Sequence, residues 1–482
     1  MGFKRLAWHC VNSTNRFFSI KLLLSRTSVL KEISMRYYKT NLTLCLALLV
    51  FSSATFSSEK QTILAFPGAE GFGAYAKGGR GGQVYTVTTL EDSGPGSFRW
   101  AVEQEGPRTI VFAISGTISL KENITIRNPL ITIAGQTAPG DGICLKDAQF
   151  YIATSDVIVR YIRCRLGDRG KDGDAIGVSK GRNIILDHCS ASWSTDEVLS
   201  CSTGNPTLTD VTVQWCFITE ALDPKNHGYG SLIRGTGGAR YSYHHNLYAH
   251  NRSRNPRPGN YDRNPHTVDP EGFFLDFRNN VIYNWAGSYP GYNADKESVT
   301  KLNYIGNFLI PGPNSRNTGK AYRTGSPYNR SYFANNIYDG KKPIDQWRLV
   351  LFDESWKPET IALYKQKRPF DTESIASEDA WTAYRRVMAH GGASRPTRDE
   401  IDIRIVDDVQ RRMGKIINSQ DDVGGWPQLD HLAPPVDSDR DGMPDEWETI
   451  HNLNPDDPED CNGDRDRDGY TNLEEYLNNL CL

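Results

Sequence analysis

The chain has 482 residues, 38% of them apolar and 11% aromatic, with 43 glycines and a formal net charge of −3. That apolar content excludes a disordered chain, and the length exceeds what one compact core usually serves, so two or three domains or one elongated repeat are expected. The acidity is local: residues 437–482 hold 15 acids against three arginines, whereas residues 61–436 hold 43 bases against 41 acids, which excludes a general electrostatic affinity for nucleic acid.

From Met35, MRYYKTNLTLCLALLVFSSATFSS has a basic start, an apolar run from Leu42 to Phe51 and small residues at Ser52, Ser53 and Ala54. This is the layout of a cleavable secretory signal, and the run is too short to span a bilayer comfortably. Residues 1–58 therefore read as a targeting segment, with the mature chain outside the cell and no membrane span after it. Cleavage would leave seven cysteines without metal-site spacing. That odd number argues against a dense disulfide framework, leaving a bridge between Cys461 and Cys481 open.

Short alternating segments begin with TIVFAISGTISL, ITIRNPLITIAG and GICL. They continue as VIVRYIRC, NIILDHC, VTVQWC, YSYHHN, FLDFRNN, LNYIGN and SYFANN. The last seven place Cys164, Cys189, Cys216, Asn246, Asn280, Asn307 and Asn336 at matching ends, with spacings of 25, 27, 30, 34, 27 and 29. A strand every coil-length without a crossover helix predicts an all-β chain, a right-handed parallel β-helix whose Asn column forms an internal ladder. A propeller, with four strands per blade, fits that period less well.

Two segments after the repeats, around residues 377–392 and 397–416, have helical patterns, with Ser377 and Thr397 as N-caps and Gly391 as a stop. The solenoid domain is set at residues 61–428 and a linker at 429–436, in a stretch rich in Gly and Pro. Beyond it, DSDRDGMPDEWE supplies Asp437, Asp439, Asp441, Asp445 and Glu448 at positions one, three, five, nine and twelve of an EF-hand-like loop, with Gly442 at six. DRDRDGYTNLEE repeats it with Asp464, Asp466, Asp468, Asn472 and Glu475. Residues 437–482 therefore read as a tandem calcium module that stabilises the protein or docks a partner.

Within the repeats, GDRGKDGDAIGV carries Asp168, Asp172 and Asp174, and the following turn carries Asp196 and Glu197. Stacked coils would bring these acids together, and crowded carboxylates call for a cation. Two coils after that turn, HNRSRNPRPGN sets Arg252, Arg254 and Arg257 at the same lateral position. Acids holding a metal beside a knot of arginines suit an anionic substrate. The histidines of LDHC and YSYHHN, on strands, read as packed rather than catalytic.

AFPGAEGFGAYAKGGRGGQVYTVTTLEDSGPGSFRWAV, GQTAPGDGI, KDGDAIGV, LDHCSASWSTDE and RSRNP, in this order, resemble the pectate lyases, polysaccharide lyase family 1. The resemblance covers about Ala65 to Gln428. It implies β-elimination of polygalacturonate with calcium held by Asp172 and Asp174, with Asp196 or Glu197 joining from the next coil. Ser200 stands where the family often has another carboxylate. Arg254, opening an R-x-P after the histidine pair, matches the family's catalytic base. Arg257 lies near a substrate-binding arginine, and Lys225 in LDPKNHGYG resembles a substrate-binding lysine. A base with an unperturbed pKa of about 12.5 or above predicts an alkaline optimum. The expected partner is pectate, bound by a monomer. A glycoside hydrolase on the same scaffold, using paired carboxylates, and a non-catalytic pectin-binding solenoid remain open.

Overall fold

The structure is a computed structural model that describes residues 63–260 and 265–482. The signal segment lies outside the described residues. Three parallel sheets wind round a common core. The first has ten strands, from Gln83–Val87 to Arg330–Ala334; the second has nine, from Gly116–Ser119 to Ile337–Tyr338; the third has six, from Ile124–Ile126 to Arg257–Asn260. A further three-stranded sheet holds Gly291–Asn293, Tyr322–Thr324 and Val350–Leu351. Each coil runs first sheet, second sheet, third sheet, so the chain is a parallel β-solenoid. Unlike a sheet with one wet face, its strands bury most of their residues, inward against Ile, Val, Leu and Tyr of the core and in many places outward against covering segments.

Strand length is set by the corners. Between the first and second sheets one residue in each turn takes a left-handed conformation, as at Tyr161, His188, Trp215, His245, Asn279 and Asn335. The next residue opens the inner ladder. The Asn246 side-chain amide donates to Asn280 (3.0 Å), Asn280 to Asn307 (3.2 Å) and Asn307 to Asn336 (3.0 Å). Each amide nitrogen also donates to a backbone carbonyl, so these buried polar groups are paired. Cys216 and Cys189 continue the column, but Cys164 does not. Cys164 pairs with Ala191 and Arg163 with Ser190, so Ile162 is the residue in register with Cys189. All the described cysteines are free, Cys461 and Cys481 included.

The glycines of AFPGAEGFGAYAKGGRGG fit the outside of the first sheet. The Gly73 amide donates to Thr212 Oγ1 at 2.8 Å and that of Gly79 to Thr132 Oγ1 at 2.9 Å. A Cβ on Gly73 would lie 2.1 Å from the Ile184 carbonyl oxygen, and one on Gly79 2.0 Å from that of Arg108. Only glycine allows this backbone to lie so close to the strands.

Helices Ala380–His390 and Glu400–Arg411 cover the second sheet. Their N-caps are Asp379 and Asp399 rather than Ser377 and Thr397; the Asp379 carboxylate accepts from the Trp381 and Thr382 amides, and Asp399 from that of Asp402. Gly391 ends the first helix as expected. The tail packs on the solenoid: Met443, Cys461, Leu473, Tyr476 and Leu477 bury against Val111 and Ala134 of the first sheet. No helix among the described residues is long and apolar enough to cross a membrane.

Candidate active site

Four successive loops leave the second sheet and enter the third: residues 166–175, 193–198, 220–231 and 250–256. Because the flanking strands are in register, the loops stack along one edge, and bridges from Glu197 to Tyr229 and from Tyr229 to Ser253 extend the ladder into them. Coil periodicity therefore brings residues far apart in sequence into one cluster.

Oxygens of Asp174, Asp196 and Glu197 lie within 4.8 Å of one another. The Glu197 amide donates to Asp174 Oδ1 at 3.2 Å. Burial, then the Asp196 carboxylate, pushes the Asp174 carboxyl up to about 7, while Arg254 and a hydrogen bond from Ser200 pull the other way. Ser200, standing where a further acid was looked for, thus serves Asp174 as a donor. These three acids fit a hard cation, to which each offers oxygen.

Arg254 comes from the fourth loop, two coils after Asp196 and Glu197 and three after Asp174. Its backbone is left-handed (φ 60°). Its guanidinium lies 3.8 Å from the centroid of the Tyr229 ring and contacts the Glu197 carboxylate, which is itself buried.

A scan against models of protein families returns no match. The sequence is 37% identical over 442 residues to a probable pectate lyase C of Aspergillus flavus, covering 90% of this chain and 96% of that one. The chain belongs to the pectate lyases. A probable pectate lyase C of Emericella nidulans is 38% identical over 426 residues, covering 87% of this chain and 93% of its own. Among solved structures, the major allergen from cedar pollen matches at TM-score 0.47 and 17% identity over 70% of this chain and 96% of its own. A pectate lyase bound to hexasaccharide matches at 0.44 and 15% over 69% and 98%.

Other residues singled out for this pectate lyase sit apart from the carboxylate cluster. Asp172 is exposed and outside the triad: Gly173 (φ 141°) separates it from Asp174, which turns inward beneath the Glu197 amide. With Lys225 and His227, Asp172 lines a cavity of about 450 Å³ beside the cluster. Arg257 opens a third-sheet strand, is 8% exposed and pairs with Asp295 at 2.8 Å. Arg252 pairs with Asp223 at 2.9 Å and contacts Asn226, stapling the fourth loop to the third.

The sequence reading missed two aromatic residues. His227 Nε2 lies 2.8 Å from Asp196 Oδ1, and its ring meets Tyr229 edge-on at 4.4 Å. Applying the coil period to loop positions, and not to strands alone, would have aligned Tyr229 with Glu197. A larger cavity, about 780 Å³, opens at the turns between the first and second sheets beside Tyr161, His188, Trp215 and Arg386. It holds none of the predicted solenoid site residues.

Proposed function

We propose that this pectate lyase cleaves polygalacturonate by calcium-assisted β-elimination at the four-loop edge, with Arg254 as base and Asp174, Asp196 and Glu197 as the core of the calcium site. The observation that carries this reading is the convergence of three carboxylates on one point, with Arg254 in contact with one of them. Calcium supplies positive charge against the uronate carboxylate, on which negative charge grows as the C5 proton leaves. To accept that proton, Arg254 must first give up its own guanidinium proton to solvent and part from Glu197, and Glu197 has an alternative use as an oxygen ligand. Tyr229 holds the guanidinium plane while this exchange occurs. Lys225, exposed on the cavity rim, is assigned to a uronate carboxylate, with Asp172 beside it as an outer acid. Arg257, held by Asp295, is assigned to bracing the strand.

The deciding assay follows unsaturated ends by ultraviolet absorbance, with polygalacturonate as substrate. Turnover with calcium and none with chelator is expected. Saturated products would instead support a hydrolase, for which one acid and one base set apart are needed; binding without turnover would support an adhesive solenoid.

A pH dependence follows from Asp174. Its raised pKa means that, without metal, the native protein holds a proton there below pH about 7, and that ionising it as pH rises from the ordinary carboxyl range towards 7 destabilises the fold. Calcium must displace that proton. The affinity of the solenoid site is therefore expected to fall by about tenfold per pH unit below 7 and to level off above it. Calorimetric titrations at pH 5.5, 6.5 and 8 test this, and a pH-independent affinity would remove Asp174 from the site.

The same reading takes the tail's two D-x-D-x-D-G loops as calcium sites and the mature enzyme as secreted, outside the cell, where calcium is plentiful.

A further inference from the structure

The tail contains a cage of carboxylate oxygens that its loop motif does not describe. Asp437, Asp439 and Asp441 form one triad with oxygens within 4.8 Å of one another, and Asp441, Glu448 and Asp460 form a second. In the first loop each aspartate uses one oxygen on the backbone: Gly442 N–H donates to Asp437 Oδ2, Asp441 N–H to Asp439 Oδ1 and Met443 N–H to Asp441 Oδ1. Asn454 N–H likewise donates to Asp460 Oδ2 at 2.8 Å. The opposite oxygens, Asp437 Oδ1, Asp439 Oδ2, Asp441 Oδ2 and Asp460 Oδ1, are buried without a partner, as are both oxygens of Glu448. Glu448 is 0% exposed and Asp441 2%.

Six buried, unpaired oxygens, carried by two triads that share Asp441, meet the lower end of calcium's six to eight ligands, with a bidentate Glu at position twelve. Asp445, the expected ninth-position ligand, is engaged elsewhere. Its two oxygens accept from the Ser438 amide and hydroxyl, both at 2.8 Å. Asn472, the ninth residue of the second loop, is buried and its side-chain amide donates to the Asp460 carbonyl at 2.7 Å. It braces the residue that closes the first cage. The second loop's aspartates, Asp464, Asp466 and Asp468, are exposed.

The cage adjoins the tail's anchor on the solenoid. Met443 follows the loop glycine and is fully buried, and Cys461 follows Asp460; both pack with Val111 and Ala134. A Cβ on Gly442 would lie 3.0 Å from Val84 Cγ1, and Arg80 pairs with Glu474 at 2.8 Å.

We propose that Asp460, arriving from outside the loop, takes the metal position that the motif gives to Asp445, and that calcium in this cage clamps the tail onto the first coils of the solenoid. The inference rests on the reading of the tail as a calcium module, and the test separates the two.

The full chain carrying Asp174→Asn and Asp196→Asn, which silence the solenoid site, is titrated with calcium by calorimetry. Asp460→Asn and Asp445→Asn are then added singly. Asp460→Asn keeps an oxygen for the Asn454 amide, so the local turn is retained. Asp460→Asn is expected to weaken the tighter tail site by about 100-fold, at or beyond the upper end of the effect of outer-shell partners, and Asp445→Asn by less than about threefold. Hydrogen exchange of strands Gln83–Val87 and Arg108–Phe112 is expected to quicken with chelator in the parent, and to be fast with or without calcium in Asp460→Asn. No calcium uptake by the parent would overturn the module itself. Uptake lost with Asp445→Asn and kept with Asp460→Asn would overturn the ligand assignment alone. Exchange indifferent to calcium would overturn the clamp.

Discussion

Arg254→Lys is expected to leave the protein folded and to lower kcat by about a thousandfold, within the range contributed by a positioned proton acceptor. Lysine keeps the positive charge beside Glu197, so no buried carboxylate is left unpaired. It cannot keep the planar contact with Tyr229 at 3.8 Å or present a guanidine nitrogen to C5. The loss should fall on kcat, with KM and calcium affinity changed by less than about threefold, because the residue acts in the transition state. Steady-state rates on polygalacturonate at saturating calcium make the comparison. A variant within tenfold of the parent would show that another group takes the proton. Arg254→Ala is the less informative change, since it strands Glu197 in a buried position and confounds activity with stability.

Arg165→Ala is expected to give the largest loss of stability, about 3–5 kcal/mol, the cost of breaking a buried ion pair from one side. Arg165 is fully buried; its Nη2 lies 2.8 Å from Asp399 Oδ1 and 2.9 Å from Asp402 Oδ1, and its Nη1 donates to Ser192 Oγ at 2.9 Å. Without it, Asp402 loses its ion-pair partner and Asp399 keeps Arg163, whose Nε lies 3.3 Å away. The arginines hold Asp399 below the usual carboxylate range. A lowered pKa adds stability that is present above the unfolded value, near pH 4, and lost as pH falls further. The gap between parent and variant should therefore narrow in acid. Urea unfolding at pH 7 and pH 3.5 measures this; a gap that did not change with pH would assign the loss to packing instead of charge.

Much of the solenoid was legible because its order is one-dimensional: a strand and a turn recur at coil-length, and the eye needs only the period. Errors arose where two residues more or less do not disturb that period. Cys164 looked aligned with Cys189 because both end an apolar run, yet the turn before Arg163–Arg165 puts Ile162 in that place. The site was legible to the same degree. Asp174, Asp196, Glu197 and Arg254 meet because they occupy equivalent loops, whereas the rotation that separates Asp172 from Asp174 depends on the turn at Gly173, which a D-x-D spacing does not encode. The tail shows the opposite limit. A twelve-residue motif names ligands by local spacing, so it includes Asp445 and passes over Asp460, which reaches the cage only through packing of one half of the module on the other.

The glycine-rich strap has a consequence for assembly. Its residues bond to Thr132, Thr212 and Ser242, in coils made well after it. The surface it needs does not exist until residue 242 is in place, so the strap, synthesised early, must wait while the coils stack. Docking it is then a late, long-range step of high contact order, placing part of the folding barrier at the start of the chain. A partly made solenoid meanwhile shows the bare outer face of its first sheet, which the strap later covers.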